Sequence, residues 1–331
     1  MSVGTGTARP ADEPSKRPPI FIVGVGRSGT TLLMAMLNAH SDVVFPPETH
    51  FLRHFVVPNP RATRAQATEM IAHDRYVQRL GFSADGIALG FPEDRADSRW
   101  HDAYSTMLAE VKRRAGKPIV GDKDPKNVEY LPLLHELFPR AKVLHMVRDP
   151  RDVLASRMRA GWSKRRPLLL NVLAYRAQLR MGRNEGRRHF GDRYMEVQYE
   201  RLISEPRETL AVVCRFLGVS YDPQMLEYHE SSSRLVAPDE AEWKKNVTRP
   251  LLSENAGKWR QELTRSQVLQ AERLCSDVFG PDGPYVRSIG RPGWGEQLRS
   301  LLCVPIGWGL DWAYRIWLRR RNRRSMARLG G

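Results

Sequence analysis

The chain has 331 residues, of which 41% are hydrophobic and 27% charged. This ordinary globular composition excludes disorder throughout and allows a sizeable core, in one enlarged domain or two. The formal net charge of +16 comes mostly from 43 arginines beside 10 lysines. Such an excess indicates anionic partners such as phosphate or sulfate groups, unless it reflects codon usage alone.

The two ends of the chain differ from its middle. Residues 1–18 lack the apolar stretch of a signal peptide and predict a disordered leader. Residues 19–284 predict the globular domain, and residues 285–331 predict a basic, tryptophan-rich tail. Three widely spaced cysteines favour neither a disulfide framework nor a metal site, so we expect a reducing, cytoplasmic compartment.

Apolar runs and helical patterns alternate along the globular domain. The runs predict buried strands at Ile20–Val25, Pro118–Gly121, Lys142–Val147 and Tyr194–Tyr199. Periodicity predicts helices at Thr30–Ala39, Asn127–Phe138, Asp149–Arg159 and Arg265–Phe279. This alternation predicts an α/β fold with a mostly parallel central sheet flanked by helices. Arginine-rich helical stretches near residues 61–114 and 165–189 predict insertions that form lids or face the substrate.

A glycine-rich loop joins the first predicted strand to the first predicted helix. Backbone N–H groups of such a loop, together with a helix N-terminus, form a cradle for a phosphate-like anion. Gly24 and Gly29 match the spacing of a nucleotide P-loop, but Thr30 replaces its lysine and the cation, Arg27, lies inside the loop. The pattern therefore favours a metal-free anhydride donor over a magnesium-dependent kinase-like activity, with a glycine turn that binds nothing as the alternative.

A second candidate anion site follows the third predicted strand. Arg148 stands at the carboxyl edge of that strand, and Ser156 lies two helical turns further on, so both could contact one second phosphate. The alternative is a set of helix-capping salt bridges. Nearby aspartates have no histidine or cysteine at ligand spacing, which argues against a metal. We expect Asp122, Asp124 and Asp149 instead to position Lys123, Arg148 and Arg151.

Taken together, the two motifs resemble those of the sulfotransferases that use 3′-phosphoadenosine 5′-phosphosulfate (PAPS). The resemblance implies a P-loop-NTPase-like three-layer fold and PAPS as the donor co-substrate, with no metal. It also implies that the glycine-rich loop binds the 5′-phosphosulfate through Arg27, Ser28, Gly29, Thr30 and Thr31. Arg148 and Ser156 would then bind the 3′-phosphate.

The similarity is closest to the branch that includes tyrosylprotein sulfotransferases, and it extends over roughly Pro19 to Pro284. It rests on PIFIVGVGRSGTTLLMAMLNAH, Pro47-Glu48-Thr49, Lys123-Asp124-Pro125, LFPRAKVLHMVRD and Gly257-Lys258-Trp259. The resemblance implies that Glu48 is the catalytic base, that Lys123 stabilises the transferring group, and that Tyr199 and Lys258 help to hold the nucleotide.

His50 departs from that branch and is a rival candidate for the base. A histidine suits proton transfer near neutral pH. It stands, however, where the tyrosine-specific enzymes carry an arginine that helps to bind the acceptor. The departure argues against tyrosine. Because the tail suggests a membrane-bound substrate and no secretory signal is seen, the acceptor expected from the sequence is a carbohydrate or glycolipid hydroxyl. Protein tyrosine is the alternative, and a non-catalytic, membrane-surface nucleotide-binding protein is the alternative from another class.

The tail has two competing interpretations. Leu301–Leu318 has the length of a membrane span, but Pro305, Gly307, Gly309, Asp311 and Arg315 interrupt it. Its tryptophans and the five arginines of 319–324 suit the interface of an anionic bilayer, here the inner face of the cell membrane. Alternatively, the apolar side of the same helix packs on the globular domain. A nucleic-acid partner is disfavoured because no nucleic-acid module accompanies the basic run.

Overall fold

A computed structural model describes residues 17–82, 100–160, 167–232, 245–252, 254–279, 283–288 and 293–329. Its centre is a five-stranded parallel sheet with the order β2-β3-β1-β4-β5. The strands are β1 (Ile20–Gly24), β2 (Val43–Val44), β3 (Ile119–Lys123), β4 (Lys142–Val147) and β5 (Tyr194–Gln198). The parallel sheet expected from the sequence is therefore present.

Helices lie on both faces of the sheet. The α-helices are α1 (Thr30–Ala39), α2 (Arg64–His73), α3 (Arg75–Gln78), α4 (Trp100–Ala115), α5 (Leu131–Leu137), α6 (Pro150–Arg159), α7 (Leu168–Phe190), α8 (Tyr199–Ser204), α9 (Pro206–Leu217), α10 (Trp259–Glu262), α11 (Arg265–Leu274) and α12 (Trp294–Leu329). Shorter helical turns cover Leu52–Val56, Pro125–Glu129, Gly191–Arg193, Pro223–Glu230, Lys245–Thr248 and Ser276–Val278.

Side chains of β1 point alternately to the two faces of the sheet, which explains the arrangement of helices, sheet and helices in three layers. Phe21 and Val23 point to one face, where they share an apolar cluster with Tyr104 of α4 and residues of α5. Ile20 and Ile22 point to the other face, where α1 and α9 pack. A strand that is buried on both faces has no polar side, so the run reads as continuously apolar in the sequence.

The order of the strands determines where a ligand binds. The chain runs from β1 to β2 and β3 on one side of the sheet, and then crosses to β4 and β5 on the other. The order in which strands are added thus reverses next to β1, while all strands stay parallel. Such a reversal leaves a crevice at the carboxyl ends of the strands, which is where ligands bind in open parallel sheets. The glycine-rich loop, Lys123, Arg148 and Tyr199 each follow a strand at this edge.

Most predicted elements are confirmed, and the differences have local causes. Strand β2 has only two residues, too few for a recognisable apolar run. The helix expected at Asn127–Phe138 is instead a 3-10 turn followed by α5, since Pro132 near the start of α5 has no N–H to continue a single helix. The leader and the middle of the first insertion, residues 1–16 and 83–99, lie outside the described residues.

The C-terminal tail forms one long helix, α12, which packs against α7, α11 and α5. Its Leu318 is completely buried. The packing alternative from the sequence analysis is thus realised on one face of the helix. Within the described part of the chain, no helix has the length and hydropathy of a bilayer span.

Candidate active site

The glycine-rich loop ends at the N-terminus of α1 and forms the floor of the site. Gly29 precedes the helix with φ 96°, a left-handed conformation that favours glycine. A Cβ on Gly29 would lie 2.3 Å from the ring of Tyr199, so the glycine also allows this close contact. No side chain caps α1. The helix therefore presents the backbone N–H groups of its first turn toward the loop.

Arg27 and Ser156 connect the two candidate anion sites. The Nε of Arg27 donates a hydrogen bond to the Ser156 hydroxyl over 3.0 Å, although the two residues come from different strand-to-helix connections. Burial lowers the pKa of Arg27, and the nearby charge of Arg148 lowers it further. Two guanidinium groups held this close favour the binding of an anion between or beside them.

Arg148 is held by three contacts. Its guanidinium donates to the carbonyl oxygens of Arg27 (3.3 Å) and Asn255 (2.7 Å) and lies 4.1 Å from the centre of the Tyr199 ring. Its buried Nε has no hydrogen-bond partner among the described residues, and neither has the buried hydroxyl of Ser28. Unsatisfied buried donors are rare in proteins, and these two fit a site that is completed by an anionic ligand.

Glu48 and Lys123 meet at the other side of the loop. Glu48 lies in the connection after β2, and Lys123 is the fully buried last residue of β3. The Lys123 ammonium contacts the Glu48 carboxylate directly and lies 3.3 Å from the Thr31 hydroxyl. A carboxylate and a cation thus stand together beside the anion cradle. This is the arrangement that group transfer between two oxygen atoms requires.

His50 lies next to Glu48 and is oriented by Asp124. Its Nδ1 lies 2.9 Å from the Asp124 carboxylate, and its Nε2 is 3.8 Å from Glu48 Oε2. Burial alone would raise the pKa of Asp124, but the hydrogen bond and charge of His50 outweigh it and the pKa is lowered. His50 has φ 53°, an uncommon conformation for a residue other than glycine. Backbone strain of this kind is often found at functional sites.

Two of the three aspartates bind partners that the sequence analysis does not expect. Asp149 does bind the Arg151 guanidinium, at 2.7 Å. Asp122, however, accepts hydrogen bonds from Tyr104 and Thr49. Burial raises its pKa to about 6. Asp124 binds His50 rather than Lys123, and its ligand atoms and those of Glu48 and His50 lie within 4.8 Å of one another. Folding thus supplies the histidine that sequence spacing does not show.

A cavity of about 840 Å³ joins these groups. Among the predicted site residues, its walls include Arg27, Gly29, Thr30, Thr31, Glu48, His50, Arg148 and Tyr199. Ser28, Lys123 and Ser156 are buried just behind the wall. Lys258 does not line the cavity; it lies in the turn that Asp152 holds through the backbone N–H groups of Gly257 and Trp259.

Several cavity residues were missed by the sequence analysis. Asn255 donates to the Tyr199 hydroxyl over 2.7 Å and accepts from Arg148, and its position two residues before the Gly257-Lys258-Trp259 motif was the available signal. Arg157 follows Ser156 and donates to the Gly26 carbonyl oxygen. The other end of the cavity is formed by side chains far apart in sequence: Tyr76, Leu173, Ala174, Gln178, Leu310 and Tyr314.

Fold and site together define a group-transfer enzyme with a P-loop-like α/β fold. It has a cradle for an anionic donor, and a carboxylate stands beside the cradle. The family model described as "Sulfotransferase family" matches residues 18–223. The chain belongs to this family and is an enzyme that transfers sulfate.

Named relatives lie in the branch expected from the motifs. A putative protein-tyrosine sulfotransferase of Caenorhabditis briggsae is 30% identical over 64% of this chain and 69% of its own length. The protein-tyrosine sulfotransferase of Drosophila melanogaster is 28% identical over 86% of this chain and 56% of its own length. The chain thus spans 69% of the first of these relatives and only 56% of the second.

A solved structure supports the fold. The sulfotransferase domain of the Synechococcus PCC 7002 olefin synthase superposes with a TM-score of 0.59 at 26% identity, over 81% of this chain and 98% of that domain. The match confirms the P-loop-like α/β fold that the resemblance implies. Almost the whole of that domain has a counterpart here, while about a fifth of this chain has none.

Proposed function

We propose that this protein transfers the sulfuryl group of PAPS to the phenolic hydroxyl of a tyrosine side chain in a peptide or protein. The observation that carries the proposal is the position of the Glu48–Lys123 pair beside a loop whose Arg27 is hydrogen-bonded to Ser156. A base, a cation and two anion sites thereby stand in or directly behind the wall of one cavity. A donor with a phosphosulfate at one end and a second phosphate at the other fits this spacing of charges.

The groups have distinct roles in the proposed reaction. The 5′-phosphosulfate binds the loop from Arg27 to Thr31, and the 3′-phosphate binds Arg148 and Ser156. Tyr199 contacts the nucleoside, and Asn255 holds the Tyr199 hydroxyl in place. Lys258, one turn from the cavity, contributes at most to the local positive charge. No side chain of the donor site calls for a metal, since the charges of the donor are balanced by arginine and lysine.

The transfer is an in-line displacement at sulfur. The Glu48 carboxylate accepts the proton of the acceptor hydroxyl as the new oxygen–sulfur bond forms. The bond between sulfur and the bridging oxygen of the donor breaks, and adenosine 3′,5′-bisphosphate leaves with the electron pair. Lys123 stabilises negative charge on the transferring group and the leaving phosphate. His50, oriented by Asp124, holds the second oxygen of Glu48 toward the acceptor.

Tyrosine is the acceptor that the comparisons support better than the carbohydrate expected from the sequence. Relatives named as protein-tyrosine sulfotransferases cover most of the domain. The cavity supports it as well, because Tyr76, Leu173, Ala174 and Leu310 give an apolar and aromatic surface that suits a phenol ring. His50 takes the place of the expected arginine, so Arg53, also in the cavity wall, is the nearby cation for polar groups of a peptide.

A glycolipid hydroxyl is the second candidate. It is favoured over a free sugar by the exposed apolar side chains Leu170 and Leu310 at the rim of the cavity. A lipid chain could lie along this rim while its head group enters. A soluble sugar would leave the rim in water.

The donor is tested by calorimetric titration with adenosine 3′,5′-bisphosphate, with and without magnesium, against ATP with magnesium. We expect tight binding of the bisphosphate that magnesium does not change. Preference for ATP with magnesium would overturn the assignment of the donor.

The acceptor is tested with PAPS carrying a labelled sulfur atom. Label transfer is compared for a tyrosine peptide, the same peptide with phenylalanine, a free sugar and a glycolipid in detergent. Transfer to the tyrosine peptide alone supports the first candidate. Transfer to the glycolipid alone supports the second.

A further inference from the structure

The C-terminal helix α12 is fixed to the domain through one face. Asp311, Leu318 and Asn322 are each at most 2% exposed. The Tyr314 hydroxyl donates to the buried Glu129 carboxylate over 2.9 Å, and Asn322 donates to the Glu129 carbonyl oxygen over 2.6 Å. These contacts determine which side of the helix faces outward.

Outside its packed face, α12 exposes tryptophans followed by arginines: Trp312 lies on the outward side, and Trp308 and Trp317 lie on its two flanks, half a turn from each other. Trp308, Trp312 and Trp317 are 49%, 62% and 53% exposed. Among the ten large apolar side chains that are strongly exposed in the described ranges, five belong to this helix. A soluble surface rarely concentrates such side chains, and a concentration of this kind marks an interaction site.

Charge on this side has a single sign. From Pro305 to Leu329 the sequence has seven arginines and one acidic residue, Asp311, and two of the arginines, Arg319 and Arg321, pair with the domain carboxylates of Glu185 and Glu129. Asp311 is buried and paired with Arg315 at 3.1 Å. Arg320 and Arg324 are exposed and have no acidic partner within the described part of the chain. Their guanidinium groups are therefore available to an external anion.

The cavity rim continues this surface. Leu170 of α7 and Leu310 of α12 both line the cavity, yet they are 44% and 47% exposed. They add aliphatic area beside the tryptophans. Apolar contact and positive charge thus occur together, next to the entrance of the cavity.

We infer that the outward side of α12 binds the surface of an anionic lipid bilayer, with the helix lying parallel to it. Indole rings occupy the boundary between head groups and acyl chains, while arginines bind lipid phosphates. A nucleic acid would also attract the arginines, but it would leave the aliphatic rim exposed to water. This inference does not rest on the proposed function, because it concerns a surface outside the catalytic groups.

The experiment is flotation of the full-length protein with phosphatidylcholine vesicles that contain or lack phosphatidylglycerol. We expect binding to the anionic vesicles, weakened by salt because exposed charges are screened. The double variant Arg320→Glu/Arg324→Glu should bind about thirtyfold less tightly, or weaker still, since each arginine contributes about a factor of five near such a surface. Trp312→Ala should weaken binding at high salt as well.

A matched control separates this surface from general charge. Arg207→Glu/Arg215→Glu changes the net charge equally, with both arginines exposed on α9. It should leave vesicle binding within about twofold of the parent. Equal loss in both double variants, or no binding of the parent protein, overturns the inference. So does binding to single-stranded RNA that the anionic vesicles fail to compete, since the surface would then be a nucleic-acid site.

Discussion

The ammonium of Lys123 contacts the carboxylate of Glu48 across 75 positions of sequence, and the same ammonium lies 3.3 Å from the Thr31 hydroxyl of the anion loop. The pair brings opposite charges to the place where an acceptor oxygen loses a proton and a leaving phosphate gains charge. A bound donor would attract Lys123 toward its own negative charge. Glu48 would then be freed to accept the proton.

Glu48→Gln should therefore lower kcat about a hundredfold or more, because glutamine keeps the shape of the side chain but cannot accept a proton. The Kd for adenosine 3′,5′-bisphosphate should change little. His50→Asn should lower kcat about tenfold at most, since it removes an orienting contact. Single-turnover rates with saturating PAPS measure both. A large loss in His50→Asn with an active Glu48→Gln would make His50 the base.

Arg148→Ala should weaken binding of adenosine 3′,5′-bisphosphate about ten- to a hundredfold, the usual effect of losing a charge-assisted hydrogen bond. Its effect on kcat at saturating PAPS should be smaller. Calorimetry on the variant gives the affinity, and Arg215→Ala on the surface of α9 serves as the matched arginine control. If both variants bind the bisphosphate as the parent does, Arg148 is not a donor ligand.

The sequence predicts the groups that follow strand ends, because a parallel sheet brings those ends together whatever the loops do. Arg27, Lys123, Arg148 and Tyr199 are of this kind. Contacts between loops are different: the hydrogen bond from Arg27 to Ser156 depends on side-chain directions that no periodicity encodes. The sequence thus predicts two anion sites, but not the bond that joins them.

His50 and α12 show two further limits of prediction. Spacing along the chain places no histidine near Asp124, since the two are 74 positions apart and meet only after folding. The tail has apolar and basic residues on nearly every side, so its sequence fits packing and membrane contact equally. Glu129, which binds the inward face of α12, gives no sign of this role in the sequence.

Gly29→Ala should abolish binding of the bisphosphate and destabilise the fold. A methyl group there would meet the Tyr199 ring at 2.3 Å, in a backbone conformation that alanine rarely adopts. Gly218→Ala is the matched control, because Gly218 is also left-handed, with φ 78° and ψ 36°, but its added Cβ would meet only the Lys142 ammonium at an ordinary 3.8 Å. We expect it to cost about 1 kcal/mol of stability while binding is retained. Equal binding by both variants would contradict the role of Gly29.

Asp122→Asn should change how stability depends on pH. Burial raises the pKa of Asp122 to about 6 from 3.8, so between these values the unfolded chain has lost a proton that the folded protein keeps. This group alone therefore makes the folded protein less stable as pH rises from about 4 to 6, by roughly 3 kcal/mol in total. Asparagine does not titrate. Urea titrations at each pH give the free energy of unfolding of the parent and of the variant. The parent's value minus the variant's should fall as pH rises over this range. A constant difference would contradict the raised pKa.

Glu129→Gln should loosen α12 from the domain. Burial alone would raise the pKa of Glu129, but Lys126, Gln178 and Tyr314 act in the opposite direction and the pKa is lowered. The ionised carboxylate therefore stabilises the fold above pH 4.5, which is the pKa of the side chain in the unfolded protein. This contribution is lost as the pH falls from 4.5 through the lower pKa of the folded protein. At pH 7 we expect a loss of about 1 to 3 kcal/mol in urea unfolding.

Limited proteolysis tests whether this loss is local. Trypsin should cut among the arginines of α12 faster in Glu129→Gln than in the parent. Glu110→Gln is a matched control, because Glu110 binds Arg113 and Arg114 on the surface of α4, away from the tail. It should leave the cleavage rate unchanged, since exposed pairs contribute little. If Glu129→Gln unfolds more easily but the tail is cut no faster, Glu129 stabilises the sheet edge and does not hold the helix.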